Sequence, residues 1–386
     1  MYIHDLNAGW KANRFLESQF AVKDVETIRK ILDAGIREVY INTKLGPDVD
    51  AARTMEEVRA ELDQQIAEMA RAGPAAIALP PHAAAVKRAK SLHRDAVKLM
   101  GGIMNDVRLG KQVAVEQCEP LVEGILESIF SVPGALLPLA QVKTRDEYTF
   151  QHSVSVAALS VTFGRALALP RDVIKELALG GLLHDVGKAL VPPAILNKPD
   201  KLSDAEFAVM RGHAQRGAEL LAKTKGVSQI AFEAAAQHHE RYDGTGYPKG
   251  LKGDEISLYG QMTAIVDVYD AITSLRVYHK GMPPTEALRK MFEWSKFHFD
   301  PKLVQAFIKG VGIYPAGSLV RLESGRMGIV REVVADKLLQ PIVKVFYHAD
   351  SNCYVDPEIL DLSAGQDKIV AHESFEKWGI DQAQWL

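Results

Sequence analysis

Hydrophobic and polar positions along the chain fall into three regimes. In the first fifty residues, β-like runs at 19–23 and 38–42 (EVYIN) flank a stretch, 25–34, whose apolar residues recur at helical spacing until Gly35 stops it. This predicts a small α+β unit. Residues 51–70 are charged and helical in pattern, and the following GPAAIALPPHAAA has the Pro, Gly and Ala content of a linker or hinge. Residues 84–108 and 113–130 read as helices, and SVPGALLP breaks the pattern before the next one. From Thr144 to about Gly310 five or more helices are expected, with Thr144-x-x-Glu147 and Ser203-x-x-Glu206 in the form of capping boxes. Beyond Gly312 the period changes: SLVRLESGRMGIVREV and PIVKVFYH alternate apolar and polar residues around Ser-Gly turns, as short antiparallel strands do. The expected fold is mainly α, a helical bundle (143–311) flanked by a small N-terminal α+β domain (1–72) and a β-barrel-like C-terminal unit (312–386). Residues 73–142 supply the linker and connecting helices.

Composition narrows the function classes. With 47% hydrophobic and 25% charged residues in 386, the chain has ordinary globular usage and enough length for a large core. A net charge of −3 argues against a nucleic-acid polymer as partner, so positive charge for any anionic ligand must be local or metallic. No basic start leads into an apolar run and no stretch of about 18 apolar residues occurs, so neither export nor a membrane is expected. Cys118 and Cys353 are far apart and form no CxxC spacing, which fits a reducing compartment, the cytoplasm, and excludes a cysteine-based zinc site. There is no internal repeat and no low-complexity tract.

The candidate chemistry lies in the helical region. Of twelve histidines, five stand at His152, His184, His213, His238 and His239, each expected on a helix. Asp185 follows His184 in LLHDVGK, Glu240 follows the His238-His239 pair, and Asp267 sits in IVDVYDA. A single histidine on an apolar helix face is ordinarily a hydrogen-bonded core residue; the joint pattern is what points to imidazole and carboxylate ligation of Fe, Mn, Zn or Ni inside a bundle. The His184-Asp185 pair suits a helix end, where a carboxylate can bridge two ions roughly 3.5–4 Å apart. Such a pair lowers the pKa of a shared water and stabilises the oxygens of a phosphoester.

From these segments the chain resembles the HD-GYP subgroup of the HD phosphohydrolase superfamily. The resemblance runs through YTFQHS at 148–153, HDVGK at 184–188, the histidine of MRGHAQRG, HHERYDGTGYPKG at 238–250 and VDVYDAITSLRVY at 266–278. It implies a cyclic di-GMP phosphodiesterase acting through a hydroxide held between two metals, with linear pGpG, and on to GMP, as product. The ligands it implies are His152, His184, Asp185, His213, His238, His239 and Asp267, with Asp185 bridging two divalent transition ions. Fe or Mn is favoured; Zn, Ni and Co are admitted. Lys188 matches the lysine that contacts the scissile phosphate or assists the leaving oxygen. In DGTGYPKG, Gly244, Gly246 and Gly250 let the backbone approach a ligand, Tyr247 can stack or hydrogen-bond, and Pro248 stiffens the turn, so Gly246, Tyr247, Pro248 and Lys249 are expected on a substrate wall. Arg276 matches a position that reaches the dinucleotide, and Asp270 is expected either to shape that wall or to be a structural helix residue.

Two departures modify the resemblance. Some relatives hold a third metal with a glutamate four residues before the first histidine; here that position is Tyr148, and Glu147 is rotated by about 100° on a helix, so two ions are expected. After Arg276 the chain reads Val-Tyr-His, placing His279 where many relatives have a cation, with Lys280 next to it. Residues 1–50 are similar to an uncharacterised domain that often precedes HD-GYP domains, a position that suits a signalling-protein contact or a homodimer. Two alternatives stay open: a slow cyclic di-GMP receptor, and a phosphodiesterase for another cyclic dinucleotide such as cyclic GMP-AMP.

Overall fold

The computed structural model describes residues 1–7, 19–49, 52–69, 82–141, 143, 147–198, 200–274, 281–334 and 337–386. The chain divides into two units, Met1–Ile66 and Ala67–Leu386.

In the first unit, strands β1 (Tyr2–Asp5), β2 (Phe20–Ala21) and β3 (Tyr40–Ile41) form an antiparallel sheet in the order β2-β1-β3. Helix α1 (Val25–Asp33) starts at Asp24, whose carboxylate accepts the Thr27 N–H at 2.7 Å, and it ends before Gly35, at φ 76°. Its apolar face buries Ile31 against Ile3, Leu6 and Ile36. Helix α2 (Met55–Met69) follows. The linker-like segment before α3 lies largely outside the described residues.

The second unit opens with α3 (His82–Arg108), α4 (Val115–Ser131) and α5 (Pro133–Gln141). Here the sequence expectation needs correcting: SVPGALLP interrupts the helical pattern only at Val132, and α5 begins immediately. Pro133 occupies the first helical position, where its fixed φ suits the helix and its missing N–H costs nothing. Gly134 is required by packing, because a Cβ there would stand 2.1 Å from the Arg331 carbonyl oxygen.

Eight further helices carry the chain to the end of the bundle. They are α6 (Tyr148–Ala166), α7 (Arg171–Leu183), α8 (Pro193–Leu196), α9 (Asp204–Leu221), α10 (Gln229–Gln237), α11 (Leu258–Thr273), α12 (Pro284–Trp294) and α13 (Pro301–Val311). Helix α6 is the axle: every residue from Gln151 to Gly164 is buried, so it is enclosed on all sides, by α3, α4, α5, α7, α11 and α13. The Ser203 capping box on α9 is present in both directions, with Glu206 N–H donating to Ser203 Oγ at 3.3 Å and Ser203 N–H to Glu206 Oε2 at 2.7 Å. Thr144 lies outside the described residues, and Glu147, which precedes α6, makes no side-chain cap.

After Gly312 come β4 (Leu319–Leu322), β5 (Arg326–Glu332), β6 (Ile342–His348), β7 (Cys353–Asp361) and β8 (Ile369–Glu373), in the antiparallel order β7-β6-β5-β4-β8. The barrel-like expectation is corrected by this order: β7 and β8 are two separate edges, so the sheet is open. One face buries Val320, Val330, Val343 and Val345. The other buries Leu319, Met327, Ile329 and Phe346 under α14 (Phe375–Trp378) and Trp385, whose indole stacks on Phe346 at 3.9 Å.

Candidate metal centre

Seven side chains converge inside the bundle. His152 comes from α6, His213 from α9 and Asp267 from α11; His184 and His238 are the C-caps of α7 and α10, with Asp185 and His239 one residue beyond. All seven are buried. The sequence reading placed every histidine on a helix, whereas three of the five stand at or just past a helix end. The reason is local. A helix leaves its last carbonyls without intrahelical donors, and the imidazoles of His184 and His238 use them: Nδ1 lies 2.7 Å from the Gly181 oxygen and 2.6 Å from the Ala235 oxygen.

Close backbone contacts bring these ends together. A Cβ on Gly187 would lie 2.0 Å from the His213 oxygen and 2.6 Å from the Gly217 nitrogen, so only glycine lets the HDVGK turn touch α9. Likewise a Cβ on Gly180 would lie 2.6 Å from the Ala234 Cβ, which seats α7 on α10.

The hydrogen bonds fix the tautomers. His213 Nδ1 stands 2.7 Å from the Met210 oxygen, as in His184 and His238, and a carbonyl can only accept. His152 Nδ1 meets the Asp270 carboxylate at 2.6 Å. In all four rings Nδ1 therefore carries a proton, and Nε2 points into the cluster. The two oxygens of Asp185 face different imidazoles: Oδ1 is 3.2 Å from His213 Nε2 and 3.8 Å from His238 Nε2, while Oδ2 is 3.2 Å from His184 Nε2 and 3.6 Å from His152 Nε2. Asp267 Oδ1 lies 3.0 Å from His152 Nε2, and its Oδ2 lies 3.7 Å from His239 Nδ1.

His184 Nε2, His238 Nε2 and Asp185 Oδ1 are buried without a hydrogen-bond partner, an expensive arrangement unless a cation satisfies it. Ligand atoms of Asp185, His213, His238 and His239, of His152, His184 and Asp185, and of His184, His238 and Asp267 each lie within 4.8 Å of one another. The donor set, ring directions and orphaned atoms all fit a divalent transition metal. Burial holds His213 and, more strongly, His238 below the ordinary imidazole value, in the neutral form that ligates. Burial alone would raise the Asp185 carboxyl, but the Lys188 ammonium and the His184 ring pull it well below the usual range.

The remaining expected residues lie around this centre. Lys188 Nζ pairs with Asp185 Oδ2. The loop at 243–250 is tied to the cluster by Tyr247 N–H donating to the His239 carbonyl at 3.1 Å, and the Tyr247 ring packs on that of His239 at 4.6 Å. Pro248 follows a cis peptide bond, and Lys249 is exposed. Gly246 is obligatory, because a Cβ there would lie 2.3 Å from the Arg241 nitrogen. Arg276 and His279 lie outside the described residues.

Asp270 is 2% exposed and sits behind His152, where its carboxylate engages both that ring and the Lys143 ammonium. Glu147 accepts from Gln151 Nε2 at 3.3 Å. Three residues escaped sequence reasoning. Lys143 lies 127 positions from its partner Asp270. Glu240 was noted only as a neighbour, yet its oxygens accept the Lys249 and Leu251 N–H groups at 2.7 and 3.0 Å. Arg211 places its guanidinium 4.4 Å over the Tyr247 ring.

A helical bundle with histidine and aspartate side chains aimed at one buried point defines a metal-centre protein of the HD kind. In agreement, residues 137–303 match the family described as HD domain, and residues 1–118 match a domain of unknown function (DUF3391). Cyclic di-GMP phosphodiesterase PA4108 of Pseudomonas aeruginosa is 41% identical over 98% of this chain and 91% of its own length. Two proteins of Vibrio cholerae match over shorter spans: a cyclic di-GMP phosphodiesterase at 46% identity over 33% of this chain and 27% of its own, and 3'3'-cGAMP-specific phosphodiesterase 2 at 36% over 44% and 32%. The chain belongs to the HD-GYP branch of the HD domain family. No helix among the described residues is long and apolar enough to cross a membrane.

Proposed function

We propose that this protein is a metal-dependent phosphodiesterase that opens cyclic di-GMP to linear pGpG. The observation that carries the reading is the set of buried, unpartnered atoms, His184 Nε2, His238 Nε2 and Asp185 Oδ1, inside a cluster of buried imidazoles and carboxylates. The near full-length likeness to a cyclic di-GMP phosphodiesterase supports the substrate. His152, His184, Asp185, His213, His238, His239 and Asp267 would hold two divalent ions, Fe or Mn in first place, and the two oxygens of Asp185, which face different imidazole pairs, support its role as the shared ligand. Bound there, such ions activate water near neutral pH and stabilise charge on phosphoryl oxygens.

The protein's own groups do the rest. Lys188, paired with Asp185 and with its side chain 21% exposed where that of Asp185 is buried, would place its ammonium on a phosphoryl or leaving oxygen. Tyr247, held by His239 and Arg211, forms with Gly246, Pro248 and Lys249 the wall against which the dinucleotide lies. Arg276 is assigned to the same ligand.

Relatives specific for 3'3'-cGAMP at 36% and 37% identity favour a second reading in which a guanine-adenine dinucleotide is the substrate. Turnover of the two dinucleotides in parallel, with chromatographic detection of linear products and GMP, separates them. A higher kcat/KM for cyclic di-GMP is expected; a higher value for cGAMP would transfer the assignment, and no product from either would reject phosphodiesterase activity.

A further inference from the structure

We infer that Lys143 is a positioning residue of the metal centre, acting through Asp270 on His152. The inference rests on the two-ion reading above. A lysine without solvent contact is costly and is retained where its charge is used. The Lys143 side chain is 0% exposed, and its ammonium pairs with Asp270 Oδ2 and donates to Ser274 Oγ at 2.7 Å. Ser274 in turn donates to the Asp270 backbone carbonyl at 2.5 Å, which fixes the hydroxyl that the lysine meets.

The same oxygen, Asp270 Oδ2, accepts from His152 Nδ1 at 2.6 Å. A face of the His152 ring is covered by Tyr148 at 6.0 Å and 11°, and Lys143 Nζ lies 5.5 Å from that tyrosine ring. The imidazole is thus held at one edge by the carboxylate and on a face by the phenol, with Nε2 directed at Asp267 and Asp185. Outer-shell carboxylates of this kind typically carry 10–100-fold in metal affinity. Lys143 holds the carboxylate in place, from the segment that leads into α6.

Removing Lys143 alone would leave a buried carboxylate without its counter-charge and endanger folding, so the test uses two charge-balanced variants. K143M/D270L deletes the whole chain of contacts; K143M/D270N keeps an acceptor for His152 but no charge. The full-length proteins are stripped of metal, checked for helix content by circular dichroism, and titrated with Mn(II) against a chelator. We expect K143M/D270L to bind one ion as the parent does and the other 10–100-fold more weakly, with K143M/D270N between it and the parent. Parent-like affinity for both ions in K143M/D270L would overturn the inference, and parent-like affinity in K143M/D270N alone would remove Lys143 from it. Should K143M/D270L fail to fold, K143M/D270N decides the matter. A parent protein that binds no ion would instead refute the two-ion reading.

Discussion

Glu240→Gln probes how the substrate wall is held. Glu240 is 3% exposed, and its two oxygens accept two backbone N–H groups, from Lys249 and Leu251. Both partners are obligate donors. Glutamine offers one oxygen and turns its NH2 toward the other amide, so the variant loses one hydrogen bond to a charged acceptor and sets a buried donor against a donor. The first effect is worth about 1.5–3 kcal/mol and the second about 1–3 kcal/mol; because they share one site we take about 2–3 kcal/mol for the whole. That corresponds to a roughly 30- to 150-fold fall in the ratio of ordered to displaced loop. Apparent substrate affinity falls with the binding-competent fraction, so KM for cyclic di-GMP should rise about tenfold or more once the loop's margin of order is spent. Metal content, measured on the same sample, should stay at the parent value, since the bonds at stake lie in the loop. A KM within twofold of the parent would show that the loop stands without Glu240, and loss of metal would relocate its role to the centre itself.

Other perturbations address separate parts of the account. Gly187→Ala should lower the melting temperature by about 1–5 °C, because its Cβ would stand 2.0 Å from the His213 oxygen and overpacking costs about 1–3 kcal/mol; an unchanged melt and metal content would show that α9 moves aside freely. Lys188→Met should keep both ions while turnover drops by about 10²–10⁴-fold, and metal loss would make Lys188 structural. Burial, with Glu116 adding to it, pushes the Cys118 thiol up to about 12, so at pH 8 it stays protonated and shielded, whereas Cys353 is exposed. Thiol titration should therefore find one reactive cysteine per folded chain and two after denaturation; two in the folded protein would contradict the packing of α4.

The cluster of histidines and aspartates was legible in sequence because its residues announce themselves by type and order: paired histidines and His-Asp are marked patterns, and the structure gathers them at one buried point. What the sequence did not disclose is relational. Nothing near Lys143 names a partner on α11, and the roles of Asp270 and Glu240 depend on which neighbour each carboxylate meets after folding. Helix α5 was hidden by two prolines, one of which starts it and the other of which, Pro138, lies within it. Strand β7 escaped because nearly all its residues are exposed and Pro357 interrupts it, a pattern that an edge strand tolerates and periodicity cannot recognise. The openness of the sheet follows from pairing order, which local alternation does not encode.

The central claim is tested most directly by purifying the protein and its Asp185→Ala variant under anaerobic conditions, counting metal per chain, and assaying cyclic di-GMP turnover at once. The account predicts near two ions per parent chain with pGpG formed, and loss of both metal and product in the variant. Turnover by a metal-free parent, or a variant that keeps two ions, would contradict it.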